Sequence, residues 1–251
     1  MLTETVLALA GLSAGALNAV AGGGTFLSFP ALIWAGVPPI MANATATFAA
    51  LPGYVGSVWA YREDLESGAR PSLAQLIATA VIGGFTGAGL LLVTPSEVFA
   101  GVVPWLLLVA TIAFAAGPAF VRHLTKSGRT MSNQAALVIV FVVAAYGGYF
   151  NGGLGIMLLA AFGIIGMTNL HRMNGLKNLM SVVLSVASVV TYSVAGLIDW
   201  DSLLVLALSC AIGGYLGAQF ARSLRNTTVL RGAIIAVGLV MTAAFFGQSA
   251  S

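Results

Sequence analysis

Charge is what this sequence has least of. Only 7% of its 251 residues are Asp, Glu, Lys or Arg, against about 25% in an ordinary soluble domain. With 59% of residues hydrophobic, that scarcity leaves almost no room for a soluble domain and predicts an integral membrane protein. Cysteine is present once, as Cys210 in an apolar run, so a disulfide framework or a cysteine metal site within one chain is excluded. The two histidines, His123 and His171, are too few for a metal cluster. None of the seven acids lies deep in an apolar run. A cation or proton pump usually needs a buried carboxylate, so this absence points to an anionic substrate. The small net charge of +3 carries its meaning in the loops and gives no reason to expect nucleic acid as a partner. Nothing asks for a cofactor.

What the sequence does have is glycine, 31 residues of it. Three in a row interrupt the first apolar run at Asn18-Ala19-Val20-Ala21-Gly22-Gly23-Gly24-Thr25, and a weaker copy, Asn151-Gly152-Gly153-Leu154-Gly155, interrupts another about 130 residues later. Glycine costs a helix roughly 1 kcal/mol against alanine, and backbone groups freed in hydrocarbon must find partners. A break at membrane depth therefore needs a reason. The first apolar run leads into this break rather than into an Ala-x-Ala cleavage site, so it reads as part of the fold and not as a signal peptide.

The chain divides into two similar halves. Ile82-Gly83-Gly84-Phe85-Thr86-Gly87-Ala88 matches Ile212-Gly213-Gly214-Tyr215-Leu216-Gly217-Ala218 at an offset of 130, and Gly36 matches Gly166 at the same offset. Each half reads as a broken helix, a half-helix and three full spans. The expected division is a first repeat over 1–121, a basic linker over 122–133 and a second repeat over 134–251, all in one membrane domain. The expected spans include 43–61 with a kink at Pro52-Gly53, then 72–93, 101–121, 174–197, 202–221 and 229–247. If each broken pair returns to its starting side, the halves are inverted and all ten Lys and Arg fall on one side. The opposite loops then carry only Glu4, Glu97, Asp199 and Asp201. If each pair makes one crossing, the basic residues divide evenly. The positive-inside rule favours the first arrangement, and with it both termini outside the cytoplasm. The expected fold class is thus an all-α polytopic membrane protein of two inverted repeats. Paired broken helices in inverted repeats point to a secondary transporter with its site near the midplane.

A half-helix that begins after a glycine break offers unsatisfied N–H groups and a partial positive charge to an oxyanion. The candidate substrate-binding residues are Asn18, Gly22, Gly23, Gly24 and Thr25 in the first break and Asn151, Gly152, Gly153 and Gly155 in the second. Thr45, Arg172 and Lys177 join them from the segments that follow the half-helices. Two readings stand for each asparagine: a cap for the broken backbone, or a donor to a ligand. Two also stand for Lys177. It opens a long apolar run, where an intramembrane cation defaults to function, or it snorkels to the interface. Arg172, nearer a loop, leans towards the interface. Tyr146, Tyr149, Phe26, Phe29 and Trp34 flank the breaks, as cavity walls or as packing.

At these residues the sequence resembles the TauE/SafE sulfite-exporter family. The resemblance covers nearly the whole chain, through Gly15-Ala16-Leu17-Asn18 to Thr25, Pro30-Ala31-Leu32, Gly36-Val37-Pro38-Pro39, Gly148-Tyr149-Phe150-Asn151-Gly152, Lys177 and Ile212-Gly213-Gly214. It implies a bacterial inner-membrane permease, not an enzyme, that exports sulfur-containing or carboxylated anions such as sulfite and organosulfonates. The partners it implies are the small anion and the bilayer. A homodimer stays open. So does a different class, a membrane subunit or scaffold that delivers sulfur anions to a partner enzyme.

Overall fold

A computed structural model describes residues 2–20, 22–62, 71–126, 131–167, 169–223 and 228–249. Among the described residues there are ten α-helices and no strand: α1 (Leu2–Val20), α2 (Thr25–Trp34), α3 (Pro39–Ala60), α4 (Leu73–Leu92), α5 (Ser96–Lys126), α6 (Asn133–Tyr149), α7 (Leu154–Ile164), α8 (Leu170–Val194), α9 (Trp200–Ser223) and α10 (Thr228–Ser249). Five of these carry a stretch long and apolar enough to cross a membrane, and the chain is a multi-pass membrane protein. Large apolar side chains such as Leu9, Trp59, Ile82, Trp105, Leu208 and Tyr215 stand exposed on the outside of the bundle. That is the surface a bilayer requires and an aqueous solvent would penalise.

The two halves are built alike. The half-helices α2 and α7 are ten and eleven residues long, about 15 Å and so half a bilayer core. Both end in the same way. Gly36 at φ +90° and Gly166 at φ +94° take the left-handed conformation. The next amides, of Val37 and Met167, reach back to the carbonyls of Leu32 and Phe162 at 3.0 and 2.9 Å. This is a Schellman-type stop in which glycine avoids the Cβ penalty, and it explains why the two glycines recur at one offset.

Packing between the halves is reciprocal. α1 packs on α9 while α6 packs on α4, α3 on α9 while α8 on α4, and α7 on α5 while α2 on α10. The repeated glycine motif makes these contacts. A Cβ added to Gly87 would stand 2.0 Å from the Ala145 carbonyl on α6, and one added to its counterpart Gly217 would stand 2.5 Å from Ala16 Cα on α1. Only a bare Cα fits, as expected where helices approach closely in lipid. The same contacts fix direction. Gly11 faces Leu206 and Gly217 faces Ala16, so α1 and α9 are parallel. Thr45 Oγ1 accepts the Asp199 amide at 2.9 Å and Gly53 lies against Gly214, so α3 and α9 are parallel as well.

Two sequence expectations change. α5 runs on to Lys126 instead of ending at 121, because Val121 to Lys126 holds no glycine or proline and the next glycine is Gly128. α3 begins at Pro39 instead of 43 and runs through Pro52 to Ala60. The remainder of the basic linker, 127–130, lies outside the described residues.

Candidate functional site

The two glycine breaks meet. A Cβ placed on Gly22 would lie 2.9 Å from Gly155 Cα, and one placed on Gly155 would lie 2.8 Å from Gly22 Cα. The breaks are thus in backbone contact, each on the side of the other that carries no side chain. Gly22 has φ +79° and Gly153 φ +74°, values that cost an L-residue roughly 1–2 kcal/mol. The remaining neighbour of Gly155 is Lys177, whose Cδ lies 3.3 Å from that Cβ position. One cationic side chain therefore stands where the halves touch.

The first break closes on itself. Asn18 Oδ1, on the last turns of α1, accepts the Gly24 amide at 2.7 Å, and the Gly22 amide donates to the Leu17 carbonyl at 3.1 Å. The cap reading of Asn18 is the one observed. Two amides expected to face a ligand are engaged within the chain, which leaves the first break its other amides and the Thr25 hydroxyl. Thr25 is buried and its Oγ1 has no partner.

The second break is tied to its neighbours instead. Asn151 does not cap it. Its Oδ1 accepts from the Tyr54 hydroxyl of α3 at 3.3 Å and its Nδ2 donates to Ser185 Oγ of α8 at 3.2 Å. The Gly152 carbonyl accepts from the Tyr146 hydroxyl at 2.7 Å, and the Tyr192 hydroxyl donates to the Gly148 carbonyl. Gly153 is the N-cap of α7 and packs on Ala110. The flanking aromatics join the breaks by packing: Phe29 of α2 meets Phe150 edge-on at 5.7 Å, and Phe26 lies against Gly153. Trp34 stands exposed at the far end of α2.

Lys177 is 1% exposed and its Nζ has no hydrogen-bond partner. The snorkelling reading does not hold: the ammonium group is inside. Among the described residues it is the one buried charged side chain. It heads a polar face that sequence reasoning passed over. Asn178, Ser181, Ser185 and Ser188 are all fully buried on α8; Ser181 and Ser185, four and eight residues on from Lys177, fall towards its side of the helix, and Asn178 lines up with the same two serines at spacings of three and seven. Both side-chain atoms of Asn178 and the Ser181 hydroxyl lack partners. Polar residues recurring at helical spacing in an apolar run were the available signal. Unsatisfied buried polar groups are uncommon and each costs about 1–3 kcal/mol. Thr25, Lys177, Asn178 and Ser181 are together what a bound polar molecule would satisfy.

The other two candidates lie apart from this group. Thr45 is buried, but its hydroxyl is engaged by the Asp199 amide at the start of α9. Arg172 sits in the first turn of α8, partly exposed, with its amide on Asn169 Oδ1 at 3.1 Å.

The sequence profile of the sulfite exporter TauE/SafE family matches residues 7–245. The chain belongs to that family. It is also 26% identical over 239 residues to a "probable membrane transporter protein" of Haemophilus influenzae, covering 95% of this chain and 92% of that one. YfcA of Escherichia coli, which carries the same description, is 25% identical over 95% of this chain and 87% of its own. A Sinorhizobium protein, again so described, is 22% identical over 94% of this chain and 89% of its own. No solved structure matches. The sulfite-exporter family and these relatives make this chain a membrane transporter.

Proposed function

We propose that this TauE/SafE-family protein is a secondary carrier that exports sulfur-containing anions, sulfite or small organosulfonates, by alternating access around one site where its glycine breaks meet. The observation that carries the reading is Lys177, a buried unpaired cation whose Cδ lies against Gly155, the glycine in backbone contact with Gly22, with Asn178 and Ser181 unpartnered further along the same helix. A buried charge is costly unless paired, and an oxyanion supplies both the charge and the acceptors the site lacks. The amides of the two breaks add donors at half-helix starts.

Helix direction supports the inverted topology in this reading. α1 and α3 are both parallel to α9, and only α2 lies between them, so the broken pair returns the chain to the side it came from. Glu4, Asp199 and Asp201 then lie at the starts of parallel helices, and Arg62 and Arg222 at their far ends. The positive-inside rule places those ends in the cytoplasm and the amino terminus outside. Reciprocal packing of the halves supports alternating access in this reading. The site membership of Asn18, Asn151, Thr45 and Arg172 is secondary in this reading: the first two hold the breaks in shape, and the last two stand away from the contact.

The test is flux. Purified protein in liposomes should move sulfite or methanesulfonate without any partner, and Lys177→Ala should lose that movement while still inserting. Unchanged flux in Lys177→Ala would remove the lysine from the site. Flux that appears only with a partner enzyme would favour the delivery-subunit alternative.

A further inference from the structure

We infer that the site accepts singly charged oxyanions and rejects doubly charged ones, so that among sulfur anions it takes hydrogen sulfite and simple monosulfonates and excludes sulfate and carboxylated sulfonates. This rests on the anion-carrier reading and narrows it. The argument is one of charge balance at a buried place.

Lys177 brings one ammonium group, and the buried polar side chains that follow it on α8 are neutral: Asn178, Ser181 and, one turn further on, Ser185; Thr25, buried at the first break, is neutral as well. Among the described residues no second charged side chain is buried. The next basic residue on α8, Arg172, is five residues back, about 7.5 Å along the axis and rotated well away from the Lys177 side. Its side chain is partly exposed, although its Nε is buried. One anionic charge therefore meets one cationic charge. A second would be left uncompensated, and an unpaired buried charge is the costly case. Helix starts contribute only partial charges of about half a unit, which fall off within a turn. At the first break part of that capacity is already taken, since the Gly24 amide is held by Asn18.

One neutral group also favours a partly protonated ligand. Asn178 has an unpartnered carbonyl oxygen as well as an unpartnered amide nitrogen. A bare sulfate has no hydrogen to give that oxygen, whereas hydrogen sulfite does. The Thr25 and Ser181 hydroxyls can each donate or accept.

Methanesulfonate and sulfate are near-isosteric tetrahedral ions that differ by one charge, so they separate charge from shape. Titration calorimetry on the purified wild-type protein in detergent, at constant ionic strength and pH, compares them directly. Methanesulfonate should bind, with sulfate at least about 100-fold weaker, the ratio expected when one buried charge is left unpaired. Equal affinity, or a preference for sulfate, would overturn the charge-state inference and leave the anion carrier standing. Binding of neither ion nor of sulfite would overturn the anion-carrier reading itself.

Discussion

The two breaks solve one problem by different means. Both put a left-handed glycine at the point of interruption, Gly22 and Gly153, and both are fully buried. Both open with an asparagine. Yet Asn18 folds back on its own break, while Asn151 reaches out to α3 and α8. The first is a self-contained cap. The second is a joint between the halves, with Tyr54 from the first and Ser185 from the second meeting on one amide. A duplicated motif thus preserved its backbone shape and divided its side-chain work. The charge divided too. At the offset of 130 that relates the halves, the counterpart of Lys177 is Thr47, whose hydroxyl merely returns to the Asn43 carbonyl. The buried lysine belongs to the second half; the buried polar residues of α3 in the first half, Asn43, Thr45 and Thr47, are neutral and mostly engaged.

Substitutions at the breaks put this difference between them to the test. The largest effect is expected where the breaks touch. Gly22→Ala combines positive-φ strain with a clash against Gly155 Cα and should destabilise by about 2–5 kcal/mol. Gly155→Ala, with the clash alone, should cost about 1–3 kcal/mol. Gly89, in the last turn of α4 with nothing near its missing Cβ, is the control: Gly89→Ala should be neutral or stabilise by up to ~1 kcal/mol. Thermal unfolding in detergent ranks the three. If Gly22→Ala behaves like Gly89→Ala, the breaks do not touch.

Next come the asparagines. Asn18→Ala should cost about 1–2 kcal/mol by freeing the Gly24 amide, with no dependence on Tyr54. Asn151→Ala should cost a similar amount. In a double-mutant cycle with Tyr54→Phe it should show a coupling of about 0.5–1.5 kcal/mol. Coupling of Tyr54 to Asn18 instead would erase the distinction drawn between cap and joint. The smallest stability effect belongs to Thr25→Val. This hydroxyl has no partner in the protein, so its loss should leave the melting temperature nearly unchanged while weakening sulfite binding about 10-fold, the worth of one hydrogen bond to a charged group. A lowered melting temperature with unchanged binding would make Thr25 structural.

Much of this was legible in the sequence, and the reasons are physical. Glycine clusters at one offset announced the duplication because only a missing side chain permits the α1–α9 and α4–α6 approaches. The half-helix ends showed themselves in Gly36 and Gly166 because a Schellman stop demands glycine. Lys177 stood out because lysine is rare in apolar runs. The serines and asparagine beside it did not, because serine occurs throughout membrane helices and reads as a packing residue until burial and lack of partners are seen. The asparagine roles were hidden for another reason. Capping and cross-linking use the same amide, and only the position of Gly24 in one break and of Tyr54 and Ser185 in the other separates them. Thr45 illustrates the opposite failure. Correspondence with the segment holding Lys177 suggested the site, but its hydroxyl serves the start of α9.

If the two breaks form one site, both halves attend one ligand. Hydrogen exchange read by mass spectrometry, with and without saturating sulfite, decides this. Peptides covering 22–26 and those covering 152–156 should slow together on addition of sulfite, and neither should slow in Lys177→Met. Slowing confined to one break, or persisting without the lysine, would contradict it.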